Sequence, residues 1–198
     1  MLFFRTSAPF KDAHQEKAAQ LLLTPTALAD LSEADARVVM RFMLHRRIGM
    51  GTVFIREGEV VHTDFMMLVI EGDVAVESEV SATDDSMVMV IMGPGGIIGE
   101  MGVLDGAPRS ATCTATTDLT VAVLSREALL KLIKRQPAVA ARLMLAISKR
   151  LADRLREANR KIKMLGSLSR ALQQELHAED KSGGRFTGSV SSPISQQP

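Results

Sequence analysis

Tryptophan and tyrosine are absent from this 198-residue chain, and phenylalanine occurs only seven times. A core of ordinary size must then be built from aliphatic side chains and from the 12 methionines, which are unbranched and adapt to irregular gaps. The single cysteine, Cys113, excludes an internal disulfide, and its place in an alternating apolar-polar run puts it on a buried strand rather than in a redox site. His14, His45, His62 and His177 are scattered, and no Cys or His pair has the spacing of metal ligands. Ser, His and Asp form no nucleophile-elbow pattern, so the sequence offers no support for an enzyme. No apolar run reaches the length of a membrane span, and Met1-Leu-Phe-Phe-Arg5 meets its charge too early for a signal peptide. A cytoplasmic location is therefore expected.

What is present is a separation of charge beneath a net value of +1. Between Gly51 and Ser125 there are 12 acidic residues and two cations, Arg56 and Arg109. From Arg126 to Arg170 the balance reverses, with 13 Lys or Arg against three acids. A lone arginine in an acidic, glycine-rich stretch is better explained as a dedicated anion ligand than as part of a basic surface.

Local signals divide the chain into four parts. Residues 1–24 form an N-terminal helical extension, with an apolar tip at Leu2-Phe3-Phe4, a helix from Lys11 to Leu23, and a stop at Thr24-Pro25. Residues 25–136 form the main domain. It opens with a helix capped by Ser32 with Asp35 three residues on, whose apolar positions Val38, Val39, Phe42 and Met43 run as far as His45. From Gly51 to Ser125, short runs rich in Val, Ile, Thr and Met are punctuated by Gly58, Gly72, Asp84-Asp85, Gly93-Pro-Gly-Gly96 and Asp105-Gly106, the pattern of an antiparallel β-roll or jelly roll. Helical character returns at Ser125.

Residues 137–180 are expected to form a long C-terminal helix opened by Pro137. Its stripe Leu151, Leu155, Ala158, Ile162, Leu165, Leu172 and Leu176, with Ser169 in the missing place, alternates steps of four and three and calls for a partner helix. The chain is thus expected to be a homodimer through residues 151–176. Gly166-Ser167 is the weak point, where a bend or fraying is expected. Residues 181–198 have the composition of a flexible tail. The fold class is mainly β plus α.

Residues 99–112, Gly-Glu-Met-Gly-Val-Leu-Asp-Gly-Ala-Pro-Arg-Ser-Ala-Thr, hold the groups that a cyclic phosphate on a ribose requires. Glu100 offers a carboxylate to a sugar hydroxyl. Gly99 and Gly102 let main-chain N–H groups approach an anion, and a helical turn over residues 100–104 would converge those donors. Arg109 supplies the neutralising guanidinium, and Ser110 adds a hydroxyl beside it. Gly93-Pro-Gly-Gly-Ile-Ile-Gly99 is not a dinucleotide fingerprint, because the third glycine would fall at Ile98 and no βαβ unit surrounds it.

The run Ile98-Gly-Glu-Met-Gly-Val-Leu104, a turn, then Pro108-Arg-Ser-Ala111 resembles the phosphate-binding cassette of cyclic nucleotide-binding domains. The resemblance extends through Gly51–Gly58, Val69–Val76 and Leu119–Ser125 to Lys149-Arg150-Leu151, covering about residues 30–155. It implies a sensor that binds cAMP, with cGMP as the other candidate, and signals through its C-terminal helix to a protein effector. The ligand-binding set it implies is Gly99, Glu100, Met101, Gly102, Arg109, Ser110 and Ala111, with Arg150 and Arg154 from the long helix.

Two departures from the family stand out. Its bacterial transcription factors place a helix-turn-helix after the dimerisation helix, whereas the residues after Asp180 are rich in Gly, Ser, Pro and Gln, so sequence-specific DNA reading is not expected. Its catabolite activator member presents adjacent hydroxyl residues to adenine where Arg154 and Leu155 stand here, which leaves the base preference to the family likeness. The competing readings are a scaffold that keeps the fold without ligand control, and a nucleic-acid binder acting through the basic run from Arg154 to Lys163.

Overall fold

The structure, a computed structural model, describes residues 12–81 and 84–183. The Leu2-Phe3-Phe4 tip and the expected tail beyond residue 183 lie outside them. The elements run α1 (Asp12–Leu22), α2 (Glu33–Met40), β1 (Leu44–Ile48), β2 (Val53–Ile55), β3 (Phe65–Glu71), β4 (Val74–Ser81), β5 (Asp84–Met92), β6 (Ile97–Ile98), α3 (Glu100–Asp105), β7 (Thr112–Ala115), β8 (Leu119–Ser125), α4 (Arg126–Arg135) and α5 (Pro137–Gly183). The described residues up to Leu151 make one compact unit and those from Ala152 a second. No helix among the described residues is long and apolar enough to cross a membrane.

The expected antiparallel roll is present as two four-stranded sheets, in the orders β1-β8-β3-β6 and β2-β7-β4-β5. β3 and β8 read as nearly unbroken apolar runs because both of their faces are covered. On β3, Phe65, Met67 and Val69 enter the core that also holds Phe54, Val74 and Cys113, while Met66, Leu68 and Ile70 enter a second core with the helices. That second core takes Ala18 and Leu22 of α1, Val39 and Met40 of α2, Leu129 and Leu132 of α4, and Leu143 and Ile147 of α5. Methionine on both faces of β3 fills these cores in place of the missing large aromatics.

Helix starts follow their caps. Ser32 and Ser125 both adopt extended backbone, and their Oγ atoms accept 3.1 Å bonds from the amides of Asp35 and Ala128. Helix α2 stops at Met40, short of the expected His45. Arg41, Phe42 and Met43 close tighter turns onto Val38, Val39 and Met40, after which the chain is drawn into β1 by pairing with β8, Leu44 against Val123 and His45 against Ala122. A sheet partner remote in sequence outweighs the local helical spacing.

The first part of α5 is tied to the α1–α2 region by charge. Arg142 grips Asp35 with both arms, Nε to Oδ2 at 2.7 Å and Nη2 to Oδ1 at 2.6 Å, and Lys149 pairs with Asp30 at 2.7 Å. Arg150 donates through Nη1 to the carbonyls of Thr26 and Ala27. Beyond Leu151, α5 passes through Gly166-Ser167 without the expected fraying, with Ser167 Oγ donating to Lys163 O at 3.0 Å. Leu155, Ile162, Leu165 and Leu172 are all more than half exposed, and the Leu176 side chain lies outside the described set.

Two outcomes follow. The Arg142 guanidinium holds Asp35 down to about 2, below its unfolded value, so the pair's contribution is complete above the ordinary aspartate range and is lost as pH falls through about 2. Arg142→Ala is expected to destabilise the fold at neutral pH, because it leaves the buried Asp35 carboxylate without its partner. Urea melts of parent and variant should converge near the acid limit, and a gap that persists there would detach Asp35 ionisation from stability. Cys113, pushed up to about 12 chiefly by burial on β7, stays a thiol at ordinary pH. A disulfide reagent at pH about 8 should modify it only as fast as the domain opens, and prompt labelling of folded protein would refute the placement.

Candidate functional site

The site grows out of the short link between β6 and β7. Gly99 opens α3 with φ of 77°, and Gly106 closes it with φ of 71°, so the helix is bounded by two left-handed turns that favour glycine. Within this turn Glu100, Gly102 and Val103 face inward, and Glu100 retains only 2% of its surface. Arg109 follows on the return segment and is almost as deeply placed, with 6% exposed. Thr63 Oγ1 donates to Gly106 O at 2.9 Å, and the Arg109 main chain pairs with the β2–β3 loop through Gly58 and Glu59.

Arg109 lies in a close-fitting enclosure. Nη1 donates to Phe65 O at 3.2 Å and lies 3.5 Å from Gly99 O, while Nη2 donates to His62 O at 3.2 Å. The guanidinium carbon stands 4.3 Å from the centre of the Phe65 ring. A side-chain carbon at Gly99 would come within 2.6 Å of Nη1, and one at Gly102 within 2.7 Å of Nη1 and 2.3 Å of Thr63 O. Only glycine at these two positions leaves room for the charge. Arg109 Nε is buried and has no hydrogen-bond partner among the described residues.

Burial lowers the pKa of Arg109, opposed by Cys113, Glu59, Asp64 and Glu100. An unpaired buried donor costs about 1–3 kcal/mol, so a buried cation with one N–H unspent is suited to an anionic ligand. The same strip carries polar contacts along its outer edge. Glu57 N donates to Thr112 Oγ1 at 3.0 Å, and Ser78 Oγ donates to Glu57 Oε1 at 3.3 Å and lies 3.5 Å from Ser110 O.

Of the residues singled out by sequence, the half-buried Gly99 and the buried Glu100, Gly102 and Arg109 are brought together, with Met101 and Ser110 exposed and Ala111 half-buried on the same segment. The structure gives Arg150 to the α1–α2 connection, and Arg154 belongs to the second compact unit. The sequence reading missed Phe65 and His62. Phe65 heads an apolar strand and reads as core, while His62 owes its role to a left-handed backbone, φ 57°, that its residue type does not announce. Among the described residues no group of three His, Cys, Asp or Glu could hold a metal ion.

Comparison with known proteins agrees with this geometry. The cyclic nucleotide-binding domain family matches residues 45–136. The Cyclic AMP receptor protein of Thermus thermophilus is 42% identical over 77 residues, 39% of this chain and 34% of its own length. A cyclic nucleotide-gated potassium channel of Rhizobium etli is 34% identical over 102 residues, 52% of this chain and 26% of its own. The chain therefore spans about a third or less of these two relatives. The crystal structure of a cyclic nucleotide-binding domain from Methylobacillus flagellatus superposes with a TM-score of 0.65 at 27% identity, covering 77% of this chain and 84% of that one. Sheet order, cassette and sequence likeness agree: over residues 45–136 the chain is similar to the cyclic nucleotide-binding domain family.

Proposed function

We propose that this protein is a cytoplasmic cAMP sensor, with cGMP as the other candidate, that converts occupancy into a changed position of α5 and passes the signal to a protein effector. The observation that carries the reading is the burial of both Glu100, on the glycine-bounded turn, and Arg109, on the segment that follows it, with Arg109 Nε left without an acceptor. A ribose hydroxyl supplies the donor that Glu100 can accept, and a cyclic phosphate supplies the single negative charge that Arg109 balances. Met101, Ser110 and Ala111 border that turn. Base recognition by Arg150 and Arg154 rests on the family likeness, and Arg150 would have to leave the Thr26 carbonyl to take part.

Loss of either anchor is expected to cost about 2–5 kcal/mol of binding, or about thirtyfold to several thousandfold in affinity. Calorimetric titration of Arg109→Ala and Glu100→Ala with cAMP and cGMP, beside thermal melts that show both variants folded, makes the test. A folded variant that binds like the parent would remove that residue from the site. A parent that binds neither nucleotide would leave the scaffold reading.

The second half of α5 supports self-association. Ile162 and Leu165 are 66% and 64% exposed, and their seam alternates at coiled-coil spacing through residues 151–176. The proposed homodimer buries that seam. Ile162→Glu together with Leu165→Glu would place unpaired carboxylates in it and should yield monomers by analytical ultracentrifugation, while nucleotide binding persists. A parent that sediments as a monomer at tens of micromolar, or a charged variant that stays dimeric, refutes the seam.

A further inference from the structure

Arg109 is treated by the sequence as a lone charge, yet its position is set by residues on a different strand and loop. Its guanidinium lies 4.3 Å from the centre of the Phe65 ring, and Nη1 and Nη2 donate to the carbonyls of Phe65 and His62. A side-chain carbon at Gly99 or Gly102 would come within 2.7 Å of Nη1. Phe65 is itself fixed, because β3 pairs with β8 at Phe65 against Ser125 and its ring belongs to the core between the sheets. His62 holds a left-handed backbone, unfavourable for a residue with a Cβ, at the point where its carbonyl meets Nη2. Local strain of this kind persists only where neighbouring structure holds it in place.

We infer that Phe65 is a positioning residue for the nucleotide-binding arginine: its ring face and main-chain carbonyl, with the left-handed peptide at His62, aim the Arg109 guanidinium for the ligand's phosphate. The inference rests on the reading of Arg109 as the phosphate ligand. Both terminal nitrogens are spent on the enclosure, which fixes the plane of the guanidinium and leaves Nε as the donor without a partner. An aliphatic side chain at position 65 would keep the core filled but offer no ring quadrupole to the cation. A ring that keeps its π face, as in tyrosine, would retain the function.

The test compares Phe65→Leu and Phe65→Tyr with the parent in the full chain. Each is titrated calorimetrically with cAMP, and the Arg109 side-chain Nε–H resonance is followed by NMR, assigned by its loss in Arg109→Lys. The expected result is a cAMP affinity about two- to thirtyfold weaker in Phe65→Leu and near the parent in Phe65→Tyr. In the absence of nucleotide, the Nε–H resonance should show the ring-current displacement of a stacked arginine in parent and Phe65→Tyr, and lose it in Phe65→Leu.

A second comparison separates positioning from packing. In an Arg109→Lys background, Phe65→Leu should change affinity much less than it does in the parent, because the planar guanidinium is no longer there to be aimed. An equal loss in both backgrounds, or a Tyr variant as weak as the Leu variant, would make Phe65 an ordinary core residue and overturn the inference. If the parent binds no cyclic nucleotide, the proposed function fails and this inference falls with it. If the parent binds and the Nε–H resonance does not respond to Phe65→Leu, the inference alone fails.

Discussion

A cation removed from water is the constraint on which the site depends. Withdrawing a guanidinium from solvent costs several kcal/mol unless partners replace its hydration, and Arg109 is nearly fully withdrawn. Its partners come from two separated stretches of chain: His62 and Phe65 where the β2–β3 loop enters β3, and Gly99 at the start of α3. The roll must close before these groups meet. The glycines follow from the same constraint, since a side chain at Gly99 or Gly102 would enter the space of Nη1. Folding and site formation are therefore a single event in this domain, and the cassette has little meaning as an isolated peptide.

β3 carries this constraint into the rest of the structure. Its alternate residues serve two cores, with Phe65, Met67 and Val69 between the sheets and Met66, Leu68 and Ile70 against the helices. Phe65 ends the inner row and also touches Arg109. A shift in how β3 seats against β8 would thus move both the helix-facing core and the face on which the arginine rests. Close-packed interiors resist continuous deformation, so such a shift is felt at both ends of the strand.

Legibility from sequence followed the range of each interaction. The cassette was readable because its groups lie within fourteen consecutive residues of fixed order, from Gly99 to Thr112. Caps at Ser32 and Ser125 were readable for the same reason, as each acts on an amide three residues on. The end of α2 was not, because a partner strand nearly eighty residues away, β8, claims Leu44 to Ile48. The contact of Arg150 with the carbonyls of Thr26 and Ala27 was not readable either, because main-chain acceptors carry no side-chain signature. Phe65 was hidden for a subtler reason. An apolar residue at the head of an apolar strand announces burial, and nothing in the string says that a cation is buried with it.

The same distinction of range bears on how binding could reach α5. Up to Leu151 this helix is part of the roll's compact unit and is tied to the α1–α2 region by Arg142 with Asp35, Lys149 with Asp30, and Arg150 with Thr26 and Ala27. The first of these involves a buried carboxylate and the last the carbonyl of the equally buried Ala27, whereas the exposed Lys149 pair contributes less than about 1 kcal/mol. A change in the helix base that breaks the Asp35 contact leaves a buried carboxylate alone. A ligand can move α5 only by as much as its affinity differs between the two positions. Any motion of α5 must also keep or repack Ile147, which lies fully buried in the helix-facing core between the Arg142 and Lys149 contacts.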